Sequence, residues 1–189
     1  MKKLILLVGV IALLCSCASF PEPENQGDSL VIGQFILDFP DGFFSEPPCK
    51  ITSGITLHMV NETKDTRFTL TTSYPGYFYF LSNGSDDFKL ESYEYQTQRT
   101  KTTYTLPRTP LDLKISTVPD KVIYFGNLTL SYLLPEIKRE YGDRSTTWNY
   151  KHDVSIEWDK EAFLQFIKDK APESQWLSRE VVEYKAQAD

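Results

Sequence analysis

An uncharged apolar run from Leu4 to Leu14 follows Lys2 and Lys3. It is too short for a membrane span, which needs roughly 20 residues, and has the charged start and apolar middle of an export signal. From residue 28 onward the pattern changes to short segments in which apolar and polar residues alternate, the period of half-buried strands. Leu30, Ile32 and residues 34–39 predict a first strand, closed by the turn signal Phe39-Pro40-Asp41-Gly42. Residues 43–49 are irregular. Ile55, Leu57 and Met59 alternate with Thr56, His58 and Val60 in the next strand; Phe68, Leu70 and Thr72 mark a third. Residues 77–81 and 88–95 read as strands either side of a polar turn. Residues 96–105 are Thr-rich and read as extended and solvated, with Pro107 and Pro110 as interruptions. Residues 111–115, 121–125 and 127–134 follow as separate strands.

The last third changes character. Trp148, Tyr150, His152, Val154, Ile156 and Trp158 alternate with polar residues as one long strand, which a turn at Gly142-Asp143-Arg144 would pair with residues 137–141. Asp159 is placed to cap a helix that shows Ala162, Phe163, Phe166 and Ile167 on one face and stops at Pro172. Leu177, Val181 and Tyr184, with Trp176 beside them, predict a second short helix starting near Ser174. Residues 18–27, with Pro21, Pro23, Glu22 and Glu24, read as a flexible tether, so folding is expected to start near Asp28.

Composition narrows the class. The 189 residues hold a formal charge of −6, and loss of Lys2 and Lys3 with a leader makes the remainder more acidic. An acidic chain without a basic cluster argues against nucleic acid as a partner and against adhesion to anionic lipid headgroups by charge. Of the three cysteines, only Cys49 would remain as a free thiol if Cys15 left with the leader and Cys17 were modified, which excludes an internal disulfide; burial is its expected state, with intermolecular pairing as the alternative.

Leu14-Cys15-Ser16-Cys17 closes the apolar run with an aliphatic residue three before Cys17 and a small one just before it. This resembles a bacterial lipoprotein signal. The resemblance implies cleavage after residue 16, acyl chains such as palmitate on Cys17, and a membrane-anchored protein of the cell envelope. Several acyl chains together make attachment effectively permanent, at about 0.8 kcal/mol per buried methylene. Ala18, where an aspartate would signal inner-membrane retention, favours the outer membrane.

A second resemblance covers residues 28–134. Asp28-Ser29-Leu30-Val31-Ile32-Gly33, residues 55–64, and the run Gly76-Tyr77-Phe78-Tyr79-Phe80 continuing to Phe88-Lys89-Leu90 are similar to the opening strand, second strand and aromatic hairpin of carboxypeptidase-regulatory-like domains, in the transthyretin-like (prealbumin-like) group. Ser85-Asp86-Asp87 departs from the glycine and proline usual in that turn. The resemblance implies a mainly β fold, an antiparallel prealbumin-like β-sandwich over 28–134; it does not cover residues 135–189, where the residue pattern itself predicts a β-hairpin and a short α-helical tail packing on the sandwich. Such domains serve mostly as scaffolding or binding modules, and some close relatives bind glycans.

The candidate chemistry is sparse. Phe78, Phe80, Phe88 and Leu90 share one parity and are expected in the core. Tyr77, Tyr79, Tyr93 and Tyr95 take the other face, as a candidate ligand surface or as a face covered by the C-terminal hairpin or helix. His58 and His152 lack metal-like partners in sequence; Asp86 and Asp87 with Asn83 read as a solvated turn rather than a calcium loop. Glu161 and Asp169 are expected to face solvent. No G-x-S-x-G, H-E-x-x-H or phosphate-loop motif occurs in the sequence. The expectation is a non-catalytic module without cofactor or metal, held to a membrane at Cys17, with an envelope protein as partner. The alternatives are a glycan-binding module using the tyrosines, and an assembly subunit docking through Phe163, Phe166, Trp176 and Val181.

Overall fold

A computed structural model describes residues 20–40, 50–99, 102–133, 136–138, 147–149 and 152–184. The predicted leader, Cys17 and Cys49 lie outside these described residues. The chain is mainly β, in two sheets that pack face to face with a helical layer behind one of them.

The first sheet is centred on β1 (Asp28–Asp38). One side of β1 pairs with β2 (Lys50–Ile51) at its end and with β5 (Tyr77–Asn83) along its first half, both antiparallel. Its other side runs parallel to β8 (Val122–Tyr132). The far edge of β8 is shared between β11 (His152–Glu157), antiparallel, and β12 (Val181–Glu183), parallel. The second sheet is antiparallel throughout. Its strand order is β4 (Thr66–Thr71), β3 (Ile55–Asn61), β6 (Asp87–Arg99), β7 (Thr102–Ser116). A separate antiparallel ribbon joins β9 (Glu136–Lys138) to β10 (Thr147–Asn149), with Ile137 opposite Trp148.

Two apolar clusters follow from strand alternation. Between the sheets, Val31, Phe35 and Leu37 of β1 meet Ile55, Leu57 and Met59 of β3, with Phe78, Phe88 and Leu90 where the aromatic pattern placed them. Behind the first sheet, Leu30, Ile32, Tyr77, Val122 and Tyr124 are covered by α1 (Lys160–Lys170) and the 3-10 turn Gln175–Ser178. α1 starts where Asp159 Oδ1 accepts the Ala162 N–H at 3.0 Å, and carries Lys168 and Lys170 in its last turn, favourable against the helix dipole. It buries Phe163, Phe166 and Ile167, while Ala162 is exposed.

Several expectations are corrected. The first sheet is mixed, not antiparallel, because β1–β8 and β8–β12 are parallel pairs. The aromatic run is no hairpin: β5 pairs with β1 and β6 with β3, so residues 84–86 arch from one sheet to the other. Residues 121–125 and 127–133 do not form two strands. They supply one, β8, in which Phe125-Gly126 bulges: Ile32 faces Tyr124 but Gln34 faces Asn127. The bulge changes parity, so Ile123 and Phe125 before it and Leu128 and Leu130 after it all point between the sheets. β7 runs through Pro107 and Pro110 on the outer edge, where a missing N–H is tolerated, and bulges there. The second helix is a single 3-10 turn. Val181 and Val182, β-branched, instead form β12 on the free edge of β8. Finally, residues 20–27 are not a free tether: Phe20 is 7% exposed, and Pro21 O accepts the Trp176 indole N–H at 2.7 Å.

Candidate functional site

Among the four tyrosines, Tyr77 and Tyr79 point behind the first sheet. Tyr77 stacks on Phe166 at 4.0 Å, and Tyr79 packs against Phe20 at 4.8 Å. Burial, then the nearby Tyr124 hydroxyl and Asp159 carboxylate, push the Tyr77 hydroxyl up to about 12, so it stays protonated at neutral pH. Tyr93 is wholly buried between the sheets, its hydroxyl bonded to that of Tyr132 and its titration raised chiefly by burial. Tyr95 is half-buried against the same core. The cause is a bulge at Glu91: His58 faces Ser92 while Met59 faces Leu90, which turns Tyr93 inward with Leu90. The structure therefore brings Tyr77 and Tyr79 together under α1, and Tyr93 and Tyr95 on the opposite side of the first sheet, with no shared open face.

The outward face of the second sheet carries a different cluster. β4 alternation sends Arg67 and Thr69 outward and Phe68 and Leu70 inward; β3 sends His58 outward. β6 adds Glu91 and Glu94, and β7 adds Arg108. Arg108 Nη2 donates to Glu91 Oε2 at 2.6 Å and its Nε donates to Ser92 Oγ at 2.6 Å. Arg67 Nη2 stands 3.8 Å from the other Glu91 oxygen. A depression of 310 Å³ lies among His58, Arg67, Thr69, Glu91 and Arg108. Exposed pairs of this kind contribute about 0–1 kcal/mol to folding.

His58 lies under this cluster. Its Nε2 is enclosed and makes no hydrogen bond, though Glu94 Oε1 is 3.4 Å away, within ion-pair range of a protonated ring. Among the described residues, Nε2 bonds to no hydroxyl or thiol. The Arg67 and Arg108 guanidinium groups beside the Glu91 carboxylate present forked hydrogen-bond donors on this face. His152 is half-buried beside the rings of Tyr132 and Tyr93, and burial lowers its affinity for a proton, partly offset by Asp153.

Asp86 corrects the sequence reading most sharply. It is 5% exposed rather than solvated, although its neighbours Asn83 and Asp87 are exposed. Its Oδ2 accepts from Lys64 Nζ at 2.6 Å, Asn61 Nδ2 at 3.1 Å and Ser82 Oγ at 3.3 Å, and its backbone N–H donates to Thr117 Oγ1 at 2.8 Å. Burial opposes the charge, but the three donors outweigh it and hold the carboxyl below the usual carboxylate range. The network ties the β5–β6 arch to the β3–β4 turn and the end of β7. A 400 Å³ depression beside it is lined by Lys64, Phe68, Phe80 and Asn83 among others.

Phe163, Phe166 and Trp176, the contacts expected for docking on an assembly, are buried in the chain's own core, and Val181 is half-buried in β12. Glu161 and Asp169 are exposed. Among the described residues, no three His, Cys, Asp or Glu side chains cluster as a metal site would require, and no helix is long and apolar enough to cross a membrane. Sequence reasoning missed the Arg67–Glu91–Arg108 cluster because its members are brought together only by the β4-β3-β6-β7 order; the outward parity of Arg67 and His58 was the available signal. No protein-family model, curated protein or solved structure matches the chain.

Proposed function

We propose that this chain is a lipid-anchored envelope protein whose β-sandwich acts as a non-catalytic module binding a protein partner. The observation that carries the binding part is the asymmetry of the two sheets. The back of the first sheet is covered by α1, the 3-10 turn and Phe20. The outward face of the second carries Arg67, Glu91, Arg108 and the enclosed, unbonded His58 Nε2. Converging arginines beside a depression favour a polar, partly acidic protein surface, since Arg is the residue that gains most from bidentate contacts at interfaces. The anchoring part rests on Leu14-Cys15-Ser16-Cys17 behind a charged start and an apolar run, and the outer membrane is the destination that Ala18 favours.

The prealbumin-like assignment belongs with this proposal. Two of its three sequence pieces fall in β1 and β3, whereas the aromatic piece forms an arch in place of the expected hairpin; a C-terminal hairpin built on the β9–β10 pairing is part of the same reading. The functional test is a photo-crosslinker placed at Thr69 and, as a comparison, at Gln165 on the exposed side of α1, in cells carrying the full chain. Crosslinks to one protein from Thr69 that vanish in Arg67→Ala/Arg108→Ala, with the fold intact by circular dichroism, are the expected result. Crosslinks that survive the double substitution would rule out the charged face as the binding surface. Mass spectrometry of the native product tests the acyl groups on Cys17.

A further inference from the structure

The chain is fastened from Phe20 onward. The Phe20 ring packs against Tyr79 at 4.8 Å and edge-on to Phe166 at 6.4 Å. Pro21 O accepts the Trp176 indole N–H, and Glu22 Oε2 accepts the Gln175 N–H at 3.0 Å. Asp28 Oδ2 then accepts from the backbone N–H groups of Glu24 at 2.8 Å and Asn25 at 2.7 Å. Only Ala18 and Ser19 separate Cys17 from this docked segment. Three Cα steps reach at most about 11 Å. A domain of this length is about 40 Å across. A leash that short, attached at one edge of so large a body, does not let the body turn over.

Resting on the lipid-anchor reading, we propose that the Phe20–α1 side of the molecule lies against the lipid headgroups and that the outward face of the second sheet is turned away from the membrane. Charges of both signs lie beside the attachment point, Glu22, Glu24, Asp169 and Glu173 with Lys168 and Lys170, so the short attachment and not net charge sets which side faces the lipid. Lys170 extends past the Phe166 ring, 5.9 Å from its centroid, and is exposed together with Lys168 on the last turn of α1. Asp169, between them, accepts from Gln165 at 2.6 Å. Lysines at headgroup level are attracted to lipid phosphates over about a Debye length. The second sheet lies about 10 Å beyond the first and the helix about 10 Å behind it, so Thr69 on the outward face sits far from the membrane in this arrangement.

The test uses the full, acylated chain in phosphatidylethanolamine–phosphatidylglycerol vesicles containing a headgroup-labelled quencher lipid. A fluorophore is attached through Lys170→Cys or Thr69→Cys in a Cys49→Ser background, and the acyl mass on Cys17 is measured on the same sample. Quenching several-fold stronger from Lys170→Cys than from Thr69→Cys is expected. Inserting about ten Gly/Ser residues between Ser19 and Phe20, a flexible spacer of roughly 17 Å root-mean-square length, should bring the two values together without disturbing the docked segment. Equal quenching in the uninterrupted, acylated chain overturns the orientation. An unmodified Cys17 in the native product overturns the lipid-anchor reading beneath it, whatever the quenching.

Discussion

Gly126 has φ +92°, and a Cβ built on it would lie 2.8 Å from Ile156 Cγ2 and 3.0 Å from Glu157 O. It has to be small and left-handed at once, because the bulge that changes the parity of β8 passes beneath β11. Gly27 is left-handed too, at φ +96°, but a Cβ there meets nothing within 4 Å. Gly27→Ala is expected to cost about 1 kcal/mol from backbone strain alone. Gly126→Ala adds the overpacking penalty, for a total of about 2–4 kcal/mol. Urea titrations of the two variants would separate the terms, and equal losses would show that β11 yields to the added methyl. Asp86 supplies a second residue-scale prediction. Its folded proton affinity is lowered, so the stability it contributes is present above the ordinary aspartate value near 3.9 and is lost as pH falls through the depressed folded value. Asp86→Asn replaces a charge-assisted acceptor for Lys64 with a neutral amide and should cost about 1–3 kcal/mol at pH 7. The gap from the native chain should narrow below about pH 4. His152, whose folded proton affinity is also lowered, loses stability on acidification as well; it is common to both proteins and cancels in the difference. A gap constant down to pH 2 would show that the Asp86 charge contributes nothing.

At the scale of elements, Trp176 is the piece on which the helical layer depends. It is wholly buried, its indole N–H is bonded to Pro21 O, and the Arg179 guanidinium lies 4.6 Å over its ring. Trp176→Ala should cost about 3–5 kcal/mol. It should also raise hydrogen exchange in α1 more than in β3 or β6, which share no contact with it; uniform acceleration across both sheets would mean the layers unfold as one unit. What the sequence revealed of these elements tracks how locally each is determined. α1 was legible from Asp159, the 3.6-residue spacing of Phe163, Phe166 and Ile167, and Pro172, all inside one helix. β1, β3, β4 and β5 were legible from alternation. The bulges at Glu91 and Gly126 were not, because each is set by a neighbouring strand's register, and one missed residue inverted the expected side of Tyr93. β12 was missed because Val181 and Tyr184 fit helical spacing; the free edge of β8 that captures them is created by Val122 and Tyr124, some 60 residues earlier. Asp86 looked like a turn residue because Lys64, Asn61 and Thr117 reach it from three other elements.

At the scale of the molecule, the two ends of the described chain hold each other. Arg179 Nη1 donates to Asp28 O at 2.7 Å, Gln175 N–H donates to Glu22, and Phe20 enters the cluster formed by Phe166, Trp176 and Tyr79. Composition concealed this, since residues 20–27 have the prolines and acidic side chains of a linker. One aromatic side chain, Phe20, decides the matter, because burying it behind the first sheet removes it from water and brings the backbone of Pro21 and Glu22 within hydrogen-bond reach of the 3-10 turn. If the segment were a linker, Phe20→Ala would fall within the roughly 0.5 kcal/mol scatter of surface substitutions. If it closes the helical layer, the loss should be about 3 kcal/mol, the low end for a phenylalanine removed from a core, since one edge of its pocket can relax toward solvent. The measurement is the urea midpoint of the detergent-solubilised chain, with an unchanged dependence on denaturant, and tryptophan emission should shift to the red as Trp176 gains water. The same substitution lengthens the effective leash from Cys17, because the next firm attachments after Phe20 are single hydrogen bonds. Stability and membrane orientation should therefore fall together in Phe20→Ala, whereas the Gly/Ser insertion before Phe20 should release the orientation and leave the urea midpoint where it was.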